Sequence, residues 1–225
     1  MEFAKGTVTA IAGLSGCGKS TTAGLLMKFF DPSEGHVYIE GTDYVALTPR
    51  QLRQKVSLVP QSVYLFSGTL RDNLLVADPE ATDEEMMAAL EEVSLADWVR
   101  RQPEGLSTDV GGAGSKLSGG QRQKIGIARA LLKKTEYIIF DEATSSVDEE
   151  SEREIWKCIG RLALSRTLII ISHRLSTIRS ADRIYVLERG KVAQCGTHEQ
   201  LMAQDGLYRE HTLQQQALEG GAVRE

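Results

Sequence analysis

The eight residues "GLSGCGKS" at 13–20 constrain this chain more than any other stretch. They fit G-x-x-x-x-G-K-[ST], a loop that works only between a buried strand and a helix. Both neighbours meet that requirement. "TVTAIA" (7–12) is short, β-branched and apolar, as a buried strand is. "STTAGLLMKFF" then places Leu25, Leu26, Phe29 and Phe30 on one helical face before "DPSEG" breaks it. In such a loop the glycines let backbone N–H groups converge on phosphate oxygens, and the helix N-terminus adds positive potential. Gly13, Ser15, Gly16, Cys17, Gly18 and Thr21 would form the cradle. Lys19 would reach the β- and γ-phosphates of a nucleotide, and the Ser20 hydroxyl would bind Mg²⁺. Cys17 reads either as a small filler or as a thiol activated by the loop's positive field.

The rest of the chain alternates strands with helices. "HVYIE" (36–40) and "KVSLVPQ" (55–61) read as strands, and 82–101 as a helix with Met86, Leu90 and Val93 packed at helical spacing. A glycine-rich loop (111–120) leads into "QRQKIGIARALLKK", a basic amphipathic helix. "YIIF" (137–140) and "TLIIIS" (167–172) are buried strands flanking a helix at 149–164. "RIYVLE" and "KVAQC" form a hairpin around Arg189-Gly190, and 206–218 a final helix before the "EGGAVRE" end. The expected fold is α/β, a P-loop NTPase with a mainly parallel central sheet and a partial antiparallel β lobe. A helical subdomain spans approximately 70–135, and 213–225 form a C-terminal tail of a single domain covering 1–225.

Composition excludes several classes. A net charge of −5 gives no reason to expect nucleic acid as a partner. Cys17, Cys158 and Cys195 contain no C-x-x-C pair, which reads as a reduced, cytosolic chain rather than a disulfide or zinc framework. The opening residues lack the pattern of a signal peptide. The longest aliphatic clusters are far too short to span a bilayer, so a membrane role must come through a partner or a missing segment.

Two further stretches carry chemistry. "YIIFDEAT" ends a buried strand in Asp141 and Glu142, where a phosphate site needs carboxylates for Mg²⁺ and for water. Asp141 suits the metal shell and Glu142 suits polarising water, although helix capping would also account for the pair. In "LSGGQRQ" (117–123), Ser118 and Gln121 match a capping box. Gly119 and Gly120 leave backbone N–H groups uncovered at that helix start, a second anion site in one chain.

The combination resembles the nucleotide-binding domain of ATP-binding cassette (ABC) proteins over nearly the whole chain. The phosphate loop corresponds to Walker A, Gln61 in "VPQ" to the Q-loop glutamine, and Leu117 to Gln121 to the signature. "YIIFDE" matches Walker B, "SSVD" ending at Asp148 the D-loop, and His173 in "IISHR" the switch histidine. The resemblance implies a head-to-tail dimer that sandwiches two Mg²⁺-ATP, each between Walker A of one chain and the signature of the other. Ser118, Gly119 and Gly120 would complete the partner's γ-phosphate pocket. Glu142 would be the general base, with Lys19 and His173 on the γ-phosphate and Asp148 linking the two sites. Gln61, Ser20 and Asp141 would reach Mg²⁺, and Gln61 would report to a transmembrane partner.

"LFSGTLRDNL", "SHRLSTIRSADRIYVLERGKV" and "GTHEQLM" resemble exporters of the multidrug and lipid type, with Arg174 where importers more typically carry Asp. This implies ATP hydrolysis on the cytoplasmic side of a membrane, with a second nucleotide-binding domain, identical or not. The transmembrane partner is expected upstream on the same chain. Two departures stand out. Phe3 is the only aromatic residue before Gly13 and lies too close to the loop to stack on adenine, so the family's N-terminal strands are expected to be missing. Gly112 replaces a glutamate of the family pattern "T-x-V-G-E-x-G". A phosphate-loop kinase is a poorer match, because it leaves "LSGGQ" and His173 unaccounted for. A non-transport ABC ATPase and a binding-only regulatory module are rival readings of the same motifs.

Overall fold

A computed structural model of the chain describes residues 1–145 and 147–221, so Ser146 of "SSVD" and the last four residues of the tail lie outside the described residues. From the N-terminus, β1 (Val8–Ala12) runs through the phosphate loop into α1 (Lys19–Leu26). A short hairpin follows, β2 (Tyr38–Ile39) and β3 (Thr42–Asp43), turning on Glu40 and Gly41 at φ 50° and 78°. Next come α2 (Pro49–Lys55) and β4 (Val56–Val59), then α3 (Leu70–Leu75), α4 (Asp83–Glu92), α5 (Ala96–Arg100) and α6 (Gly119–Leu132). The chain continues with β5 (Tyr137–Asp141), α7 (Glu149–Leu162), β6 (Thr167–Ile171) and α8 (Leu175–Ile178). It ends with β7 (Arg183–Glu188), β8 (Lys191–Gly196), α9 (His198–Met202) and α10 (Leu207–Gly221).

The main sheet has the order β4-β5-β6-β1-β7-β8, parallel except for β8, which returns antiparallel on β7. In register, Ala10 lies beside Ile170 on one side and Ile184 on the other, and Ile139 beside Ile169 and Leu58. A parallel sheet covered on both faces calls for continuous apolar runs, which "YIIF" and "TLIII" supply. Their alternate residues divide between two cores. Ile138, Phe140, Leu168 and Ile170 pack with Ile125, Ile127, Ile155 and Ile159 of α6 and α7. Ile11, Ile139, Ile169 and Ile171 pack on the opposite face with Ala23 and Met27 near α1 and Leu52 of α2.

The fold is the expected α/β architecture, with a mainly parallel sheet and a small antiparallel one, but several boundaries differ. α1 stops at Leu26, so Phe29 and Phe30 do not continue its face and are 62% and 46% exposed. Lys28 adopts φ 54°, and Phe29 N–H closes on Gly24 O at 2.9 Å, a C-terminal capping turn. The Lys28 ammonium donates to the Tyr44, Val45 and Leu47 carbonyls, which explains why the bend persists. The helix expected over 82–101 breaks at Ser94 (φ 54°) into α4 and α5. The strand expected over 36–40 shrinks to two residues, and the last helix runs to Gly221 rather than 218. The basic face of α6 is partly internal, since Lys124 is buried and paired with Glu154. Among the described residues no helix is long and apolar enough to cross a membrane.

Candidate functional site

Because β5, β6 and β1 are adjacent and parallel, three segments leave the same edge of the sheet at their C-terminal ends. That edge is where open α/β sheets bind ligands. The ladder extends into the loops: Glu142 N–H donates to Ile171 O at 2.9 Å and Ser172 N–H to Ile11 O at 3.3 Å. The phosphate loop, Glu142 and His173 are thereby fixed to one another by backbone.

The loop is shaped by its glycines. A Cβ on Gly13 (φ 146°) would lie 2.5 Å from Leu187 O and 2.6 Å from Cys17 Sγ, so no side chain fits there. Gly18 is the left-handed N-cap of α1, leaving the first-turn N–H groups open toward an anion. Ser15, Gly16, Ser20 and Thr21 are exposed along this rim. The Lys19 ammonium is buried and donates to Gly13 O (2.9 Å) and Leu14 O (3.0 Å), with Glu142 Oε1 at 4.0 Å. Of the two readings of Cys17, the structure places a filler: its thiol is buried beside Gly13 within the core that contains Ile11 and Ala23. Phe3 packs edge-to-face on Tyr185, whose hydroxyl bonds both the N–H and carbonyl of Glu2.

Glu142 occupies φ 49°, a strained position for any residue with a Cβ, at the turn between β5 and α7. Its Oε1 lies 3.3 Å from His173 Nδ1. Beside it, burial and the neighbouring Glu142 charge push the Asp141 carboxyl above the ordinary carboxylate range, while Lys19 pulls it back. Gly13, Ser15, Lys19, Glu142 and His173 line one cavity of about 420 Å³. Gln61 is held apart from it, donating to Ser145 Oγ at 2.9 Å, and Ser145 in turn donates to the Glu142 carbonyl.

The segment 117–121 does not line that cavity. Ser118 caps α6 reciprocally with Gln121: Gln121 N–H donates to Ser118 Oγ at 3.1 Å and Ser118 N–H to Gln121 Oε1 at 2.9 Å. Leu117 is buried, and Gly120 presses so closely on α7 that a Cβ would lie 2.2 Å from Ser151 Oγ. Asp148 caps α7 through Ser151 N–H, so the signature segment and Asp148 adjoin one another, away from the Lys19 cavity. At Gly112 an added Cβ would lie 3.9 Å from Ser67 Oγ, an ordinary van der Waals contact without overlap.

Three polar residues at the site escaped sequence reasoning. Gln215 of α10 donates to the His173 carbonyl at 2.6 Å, and α10 forms one wall of the cavity with His211 and Thr212. Glu152 of α7, just outside the cavity, accepts from Thr144 and pairs with Arg174, the residue after His173. Ser145 anchors Gln61. The Gln215–His173, Glu152–Arg174 and Ser145–Gln61 contacts join residues distant in sequence with no local motif.

The sequence profile of the ABC transporter family matches residues 1–145. An uncharacterized ABC transporter ATP-binding protein of Sinorhizobium fredii is 45% identical over 93% of this chain and 36% of its own length. The ATP-dependent lipid A-core flippase of Neisseria meningitidis serogroup A is 44% identical over 92% of this chain and 34% of its own. A solved structure of a bacterial Atm1-family ABC exporter with ATP bound superposes with a TM-score of 0.90 at 42% identity, covering 96% of this chain and 38% of that one. The chain thus spans about a third of the length of these relatives. With a matched profile over more than half its residues, the chain belongs to the ABC transporter family.

Proposed function

We propose that this chain binds Mg²⁺-ATP and hydrolyses it to drive export by a longer transporter, acting as one ATP-binding domain over 1–225 with a helical subdomain at approximately 70–135. The observation that carries this reading is the convergence of Lys19, Glu142 and His173 on a single cavity at the phosphate loop. Glu142 is the general base that takes the proton of the attacking water. His173 holds the γ-phosphate, and the Lys19 ammonium neutralises the charge that develops on it. Open N–H groups at the start of α1 receive the remaining phosphate oxygens.

The donor set fits Mg²⁺. Among the described residues no group of three or more His, Cys, Asp or Glu side chains is placed to hold a metal. Mg²⁺ needs only one or two protein oxygens when phosphates and water supply the rest. Ser20 and Asp141 would provide oxygen donors, and Gln61 would join them on release from Ser145. A cation there would relieve the adjacent carboxylates of Asp141 and Glu142. When bound, the metal supplies charge neutralisation of the phosphates.

The separation of 117–121 from the Lys19 cavity supports a head-to-tail dimer, in which Ser118, Gly119 and Gly120 face the partner's ATP and Asp148 bridges the sites. The second domain is an identical or related chain, and a transmembrane partner places the assembly on the cytoplasmic face of a membrane. The test is a pair of measurements. Glu142→Gln should retain ATP binding while turnover stops, and hydrolysis by the wild-type chain should rise faster than linearly with its concentration. Normal turnover in that variant removes Glu142 from its role, and strict proportionality down to dilute monomer removes the dimer.

A further inference from the structure

We propose that Glu152 is a positioning residue for hydrolysis, its one carboxylate setting the general base and the switch histidine relative to each other; this rests on the hydrolytic reading above. Glu152 stands in the first turn of α7 with its side chain 15% exposed, and it does not line the Lys19 cavity. A carboxylate so far removed from water needs donors, and it receives them from three places. Thr144 Oγ1 donates to Oε1 at 3.1 Å and Trp156 Nε1 to the same oxygen at 3.3 Å. The Arg174 guanidinium pairs with Oε2.

Two of those donors sit beside the reacting groups. Thr144 is two residues beyond Glu142, on a buried turn that must hold Glu142 at φ 49°. Arg174 follows His173 directly, and its N–H is tied to Ser172 Oγ at 3.0 Å. The segments that carry Glu142 and His173 come from different strands, β5 and β6. Beyond the end of the sheet, Glu152 joins both of them by side chain. A strained turn persists only where its surroundings over-determine it, and the Thr144 bond supplies one such constraint. The Arg174 pair supplies the matching constraint on the histidine. Loss of the pair would let the 3.3 Å contact between Glu142 and His173 drift while the phosphate cradle stays intact.

The experiment compares Glu152→Gln, Arg174→Gln and the double variant with wild type in ATP hydrolysis and thermal unfolding. Glutamine keeps an acceptor for Thr144 and Trp156 and removes the charge opposite Arg174. A displacement near 1 Å at a catalytic group costs on the order of 100-fold in rate. Glu152→Gln should therefore lower kcat by roughly 10- to 100-fold, with KM for ATP within about twofold of wild type. The double variant should be no slower than the slower single, because the pair acts as a unit. A wild-type kcat in Glu152→Gln overturns the inference. So does a loss of kcat that tracks the unfolding midpoint and adds across the two sites, which marks a purely structural ion pair. Absence of turnover in wild type sinks the hydrolytic reading and this inference together; turnover in wild type with an unaffected variant sinks this inference alone.

Discussion

Gly120→Ala tests the contact on which the signature segment depends. The added Cβ would lie 2.5 Å from Ser151 Cβ and 2.2 Å from Ser151 Oγ. Rotating the serine hydroxyl relieves the second overlap and leaves the first, so α6 and α7 must part by roughly 1 Å to reach van der Waals separation. Overpacking of this kind costs about 1–3 kcal/mol. Ser151 N–H also makes the 2.9 Å cap bond to Asp148, and its disturbance adds about 1 kcal/mol. The expected loss in denaturant unfolding is therefore about 2–4 kcal/mol. Ser151→Gly removes both clashing atoms at a cost of about 0.5 kcal/mol in helix propensity. Combined with Gly120→Ala it should recover most of the loss, a coupling of about 1–3 kcal/mol. If Gly120→Ala lies within about 0.5 kcal/mol of wild type, or the two substitutions simply add, the close approach of these helices is not what requires the glycine.

Lys19→Ala removes a charge-assisted donor and should weaken ATP binding by roughly 10- to 100-fold in equilibrium titration; unchanged affinity would contradict the cradle assignment. Asp141→Asn bears on stability against pH. With its folded pKa raised above the ordinary 3.8, native Asp141 binds more protons than the unfolded chain in the window above 3.8, so its stabilisation is present below 3.8 and fades as pH climbs through the raised value. The asparagine variant should flatten that slope in unfolding measured from pH 3 upward, and an unaltered slope would show that Asp141 does not set it. Asn73 is fully buried, donates to Phe66 O and Thr69 O, and accepts from Arg129, itself half-buried with its pKa lowered by desolvation. Asn73→Ala leaves that guanidinium short of a partner and should cost about 3 kcal/mol in denaturant unfolding, a loss under about 1 kcal/mol being incompatible with the network.

Most of the site was legible because its parts are local. A loop between a strand and a helix, an apolar run ending in two acids, and a capping box each carry their physics within a few residues. The parallel order of β5, β6 and β1 then brings Lys19, Glu142 and His173 together, as alternating strands and helices imply. Two kinds of feature were harder to see. Capping boxes at Thr48, Thr69, Thr82 and Thr197 mark the starts of α2, α3, α4 and α9 as plainly as Ser118 marks α6, yet α2, α3 and α9 are too short to show apolar periodicity. Backbone reversals at Lys28 and Ser94 have no glycine to announce them, so α1 and the 82–101 helix seemed longer than they are. The contacts of Glu152, Gln215 and Ser145 depend on tertiary placement and have no signature in sequence.

The arrangement of anion sites follows from the same geometry. α1 begins at the C-terminal edge of β1, so its open N–H groups necessarily face the ligand edge of the sheet. α6 precedes β5, and its start is packed against α7 through Gly120 and Ser151. The start of α6 is set aside from the phosphate loop by its packing on α7, and 117–121 does not line the Lys19 cavity. In the proposed dimer, the backbone at Gly119 and Gly120 would serve a γ-phosphate bound to another chain. In that proposed dimer, the close packing of Gly120 on Ser151 is what holds the signature segment in place.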